Sequence, residues 1–160
     1  GLGEELLGMT VWPIFILLIY GDLFEVGALV GVSALITSVV TLIAGKFADR
    51  HNKRKVLIVS SLIQGFVWLA RLFTRHPGGV FAIDVAGRSS HNSVFVSMTT
   101  LTYDRAHEDD YSWHGVYYEQ GFAIAKSLMA VVVMLIATTT DPFNTIFVIG
   151  AAWSTLYWIF

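Results

Sequence analysis

The sequence predicts an all-α, polytopic membrane protein of about six helices, and three observations carry that prediction. Hydrophobic residues make up 55% of the 160-residue chain and charged residues only 14%, against about 25% charged in a typical soluble domain. The mean hydropathy is +0.65, which leaves too few polar side chains to cover a water-facing surface. Uncharged runs also recur between short polar breaks, at close to the roughly 20 residues that one bilayer crossing requires.

The first run, 6–20, is short unless its helix extends back through Glu4 and Glu5, and Pro13 is expected to kink or thin it. Paired acids ahead of an apolar run read as the wet end of a helix. The acidic turn GDLFEVG at 21–27 leads to a second span at 28–45, rich in Val, Leu, Ile and small residues, and the two make an antiparallel hairpin. After a basic stretch at 45–55, the third span covers 56–73 and stops at the turn RHPGG, 75–79. The fourth span, 80–103, contains Asp84, Arg88 and His91. A polar segment at 104–115 precedes the fifth span, 116–139, with Glu119 and Lys126, and Asp141-Pro142 turns into the sixth at 143–160. All six belong to one transmembrane domain over 1–160. A start at Gly1 and an apolar end at Phe160 read as a fragment of a longer chain, and the opening lacks the pattern of a signal peptide.

Several functions are excluded on composition. A net charge of -2 argues against a nucleic-acid binder. With no cysteine, disulfides, thiolate catalysis and zinc–thiolate sites are absent. The segment HEDDYSWH, 107–114, holds nitrogen and oxygen ligands but no compact metal motif such as H-E-x-x-H, and reads as a solvated loop. No Ser/His/Asp arrangement is recognisable by spacing, so an enzyme is not expected, and neither a metal nor a cofactor is implied. Trp113, Tyr117, Tyr118, Trp153, Tyr157 and Trp158 fall near span ends and fit an interfacial belt.

Orientation follows from the excess of Lys and Arg in cytoplasmic loops. Lys46, Arg50, Lys53, Arg54 and Lys55 put 45–55 inside, whereas 21–27 has no basic residue. Alternation then makes 104–115 cytoplasmic too, in a multi-pass protein of the plasma (inner) membrane.

Placed between the second and third helices, GKFADRHNKRK resembles the signature loop of the major facilitator superfamily, roughly G-x-L-A-D-R-x-G-R-[KR]. Gly45, Ala48, Asp49, Arg50, Lys53 and Arg54 fall at matching positions, with Phe47 in place of Leu and Asn52 in place of the second Gly. A weaker echo is RSSHN at 88–92, where that family often has Arg-x-x-Gln-Gly, while the Gly-Pro motif of many drug:proton antiporters is missing from EQGFAIAKSL. The resemblance implies one six-helix half of a transporter that works by alternating access, with the missing second half supplying the opposite wall. It implies a conformational latch of Gly45, Asp49, Arg50 and Arg54, in which Asp49 caps helix ends and Arg50 pairs with an acid at the inner end of the fourth helix, Asp104.

Ionisable residues inside the hydrocarbon layer are costly and usually mark a functional path. Asp84 and Arg88 share a helix face at four-residue spacing, with His91 three further along. Arg88 lies roughly 15 Å from the outer end by helical rise, near the mid-membrane. One reading has Arg88 and Lys126 bind an anionic or polar solute, while Asp84, Glu119 or a first-helix Glu exchanges coupling protons. The other has Asp84 and Arg88 neutralise one another, with Glu119 near the interface. A small solute, protons and the lipid bilayer are thus the expected partners; the competing function is a non-transporting receptor or assembly subunit with a transporter-like fold.

Overall fold

The computed structural model of the protein describes residues 2–50, 53–106 and 111–159, nearly all of them helical. Helix α1 (Leu2–Leu6), a π-helical turn (Leu7–Val11) and α2 (Trp12–Tyr20) follow one another without a break. Then come α3 (Leu23–Arg50), α4 (Lys53–Phe73), α5 (Pro77–Ala106), α6 (Tyr111–Ile136) and α7 (Pro142–Thr155), which ends in a 3-10 turn (Leu156–Ile159). With the first three stretches taken as one rod, the described residues form six rods. The all-α expectation holds. Among the described residues, three helices are long and apolar enough to cross a membrane, over Leu23–Ile43, Lys53–Phe73 and Gly115–Ile136. Helix α5 has the length, 30 residues, but Asp84, Arg88, His91 and a series of Ser and Thr residues dilute its hydropathy.

Local chemistry sets the breaks. Proline lacks the N–H that an α-helix needs and crowds the carbonyl four residues back. Ahead of Pro13 the backbone widens into the π turn, where the Trp12 N–H reaches the Leu7 carbonyl. Gly21 ends α2 in the left-handed region (φ 73°), and its N–H donates to the Leu17 carbonyl at 2.8 Å; a side chain there would be strained. The Asp22 carboxylate then accepts the Phe24 N–H at 2.8 Å and starts α3. Pro77 and Pro142 open α5 and α7, where a missing N–H costs nothing.

Both polar segments are narrower than the sequence suggests. Helix α3 runs on to Arg50 and α4 begins at Lys53, so most of 45–55 is helix; α5 likewise reaches Ala106 and α6 begins at Tyr111. Charged residues such as Lys and Arg are good helix formers, and polarity alone does not end a helix.

Helix α5 packs against α3 and α4, α4 packs also against α7, and α6 packs against α1. Divided into two successive triplets of rods, the pairings α3 with α5 and α6 with α1 exchange with one another. The main core joins Trp12, Phe15, Ile16, Trp68, Met129 and Phe147, with Phe147 edge-on to Phe15 at 5.0 Å and to Trp12 at 5.9 Å between ring centres. Elsewhere the polarity is inverted. Helix α3 buries Ser33 and Thr37 and exposes Leu35, Val39, Leu42 and Ile43. Helix α4 buries Ser60, Ser61, Gln64 and Arg71 and exposes Val59, Leu62, Phe66 and Phe73. Apolar exposure of this extent marks a surface that meets something other than water.

Candidate functional site

The polar residues of α4 recur every three or four positions, Ser60/Ser61, Gln64 and Arg71, with Trp68 on the same face, and their side chains meet Glu4 of α1, Trp12 of α2 and Ser90 of α5. Glu4 on α1 is its counterpart. It is 1% exposed, and its Oε1 accepts from Gln64 Nε2 and Trp68 Nε1, while Tyr157 donates to Oε2 at 3.2 Å. Ser90 of α5 donates to Gln64 Oε1, so that amide links an acid on α1 to a hydroxyl on α5. A buried carboxylate without such donors would carry a cost of several kcal/mol.

A second acid, Asp84, is equally buried at 1% exposed. Trp12 Nε1 donates to its Oδ1 at 3.0 Å and Arg88 Nε to its Oδ2 at 2.8 Å, so α2 and α5 are joined through one carboxylate. Beside both acids sits Arg71, 3% exposed. Its guanidinium carbon lies 3.9 Å from the ring centre of Trp68 and 4.4 Å from that of Trp12. Gly87 makes this possible, because a Cβ there would stand 2.8 Å from Arg71 Nη2.

Glu4, Gln64, Arg71, Asp84 and Arg88 border a cavity of about 230 Å³, lined also by Glu5, His91, Thr37 and Asn92. Asn92 donates to Thr41 at 2.9 Å and ties α5 to α3 on that side. Comparison with protein-family models, with curated proteins and with solved structures gives no match. The arrangement can hold a small polar or charged molecule against fixed donors and acceptors.

Of the residues singled out by sequence, Asp84, Arg88 and His91 line the cavity together, and the mutual neutralisation of Asp84 and Arg88 is present as an ion pair. Lys126 instead bonds Glu5 at 2.8 Å and lies against the Phe122 ring, and Glu119 is exposed on α6. Two expectations are corrected. Glu4 is no wet helix end, because three donors from α4 and the C-terminal turn make its burial possible. Tyr157 is no interfacial residue; it is buried and bonded to Glu4.

At the other end of the bundle, Lys53 pairs with Asp104 at 2.7 Å, and both are substantially exposed. Gly45 and Arg54 occupy α3 and α4, whereas the side chains of Asp49 and Arg50 and those of 107–114 lie outside the described residues. Among the described residues no three His, Asp or Glu groups gather as a metal site. Gln64, Trp68, Arg71, Trp12 and Ser90 are the site residues that sequence reasoning missed. The signal for Gln64 and Arg71 was a polar stripe at helical spacing inside the third apolar run, shared with Ser60 and Ser61; Trp12 and Ser90 had no such local signal.

Proposed function

We propose that this chain is one six-helix half of a secondary membrane transporter of the major facilitator type, moving a small solute by alternating access with coupled protons or ions. One observation carries the reading: a cavity edged by Glu4, Asp84, Arg71 and Arg88 sits within helices whose outward faces are Leu, Ile, Val and Phe. Charges held inside such a bundle define a polar path through an apolar layer. The exchanged pairings of α3 with α5 and α6 with α1 support it, because the six-helix halves of these transporters are built from two related triplets. The signature-like stretch at 45–55 supports it as well.

On this reading the bundle sits in the plasma (inner) membrane with 45–55 and 104–115 cytoplasmic, and a second bundle closes the cavity. Gly45, Asp49, Arg50 and Arg54, with Asp104, form the latch at that end, where the Lys53–Asp104 pair already joins α4 to α5. Contacts present in only one state bias a rocking equilibrium by their free-energy difference. No covalent chemistry is involved.

The test is reconstitution of the full-length protein into proteoliposomes with a pH-reporting dye inside and a panel of small carboxylates, amines and sugars outside. Saturable, protein-dependent movement of solute or protons is expected. Solute binding with no movement of either would make the protein a receptor and overturn the proposal.

A further inference from the structure

We infer that Arg71 binds the carboxylate of a small organic anion admitted to the cavity, an inference that deepens the transport reading and rests on it for the purpose of binding. The charges around the cavity leave this group over. Arg88 is held by Asp84 and Lys126 by Glu5, each at 2.8 Å. Asp84 has both oxygens engaged, by Trp12 and Arg88. Glu4 has both oxygens engaged, by Gln64, Trp68 and Tyr157. Neither acid bonds Arg71; both act on it only through space. Its Nε and Nη1 are buried and have no hydrogen-bond partner.

Unsatisfied buried donors of a charged group are costly. Nη1 shares the outer edge of the guanidinium with Nη2, and Arg71 lines the cavity, so a carboxylate admitted there can complete that edge, while Nε, which faces away from Nη1, takes no part. The indole rings of Trp12 and Trp68 lie against the guanidinium and hold its plane, and a planar guanidinium presents its N–H groups at the edge, in a fork that matches a carboxylate. Gly87 places no side chain over Nη2. The cavity of about 230 Å³ has room for a short carboxylate.

The experiment titrates the purified full-length protein in nanodiscs with acetate, butyrate and succinate, each beside its uncharged amide, and follows tryptophan fluorescence, which Trp12 and Trp68 make sensitive to this spot. A saturable change is expected with at least one carboxylate and with none of the amides. Arg71→Gln should weaken it by tenfold or more, Arg71→Lys should weaken it less, and Lys46→Gln, on the exposed side of α3, should leave it unchanged. No saturable response to any carboxylate, or an equal response to the amides, overturns the inference in the wild-type protein whether or not the variants fold. Undiminished binding in Arg71→Gln overturns it as well. Carboxylate binding without flux would remove the transport reading and leave this site standing; flux of a neutral solute without carboxylate binding would do the reverse.

Discussion

Two glycines facing the same helix contact should respond to one added methyl group in opposite ways. Gly150 on α7 lies under the Trp68 ring: a Cβ would meet Trp68 Cδ2 at 2.7 Å, Cε2 at 2.9 Å and Cε3 at 3.0 Å. Gly65 on α4 faces α7, yet its Cβ would meet nothing nearer than the Ala151 carbonyl at 3.7 Å. Gly150→Ala must therefore displace a ring that is wholly buried, bonded to Glu4 and stacked on Arg71. Overpacking costs about 1–3 kcal/mol and a weakened bond to a carboxylate about 1.5–3, offset by about 1 from the better helix former, for a net loss of roughly 1.5–5 kcal/mol. At about 2–4 °C per kcal/mol for a chain of this size, Tm should fall by about 3–20 °C. Gly65→Ala should leave Tm unchanged or slightly raised. The assay is thermal unfolding of the purified variants in one detergent. Midpoints within about 2 °C of each other would refute the packing argument.

Asp84→Ala strands Arg88 and the Trp12 N–H; because Arg88 is partly exposed, the loss should sit near the lower end of the 3–5 kcal/mol range, about 3, in the same melting assay. The chain has no cysteine, so single substitutions Asp22→Cys and Lys55→Cys can be labelled with a membrane-impermeant maleimide in oriented vesicles. They should react from opposite sides, and labelling of both from one side would contradict a spanning α3. For the latch, Asp49→Ala should shift the balance of inward- and outward-facing forms measured by distance-reporting labels; unchanged populations together with unchanged flux would remove Asp49 from that role.

Much of the helical layout was legible because an apolar run between polar breaks is a local property. The run 56–73 became α4 within a few residues, and Gly21 and Pro77 acted at the breaks where they stand. The ends of α3 and α5 were less legible. Polarity at 45–55 and 104–115 suggested loops, but Lys, Arg and Ala continue a helix readily, so both helices extend further. Within the site, Asp84 and Arg88 were legible as a pair because both lie on one helix at four-residue spacing. The partners of Glu4 are 60, 64 and 153 residues away, and no local pattern announces them.

Sequence by itself determined that this chain is helical, strongly apolar, without cysteine chemistry, and marked by a basic stretch after its second apolar run. Those follow from side-chain type and periodicity, which need no knowledge of neighbours. Tertiary structure alone decided which charges are paired and which are left over. Arg71 looks like any arginine near the end of an apolar run until Trp12 of α2 and Gly87 of α5 are brought against it, beside Trp68 three residues back on its own helix. A charge acquires its role from what surrounds it once water is excluded, and in this chain those surroundings come together only when α2, α4 and α5 pack.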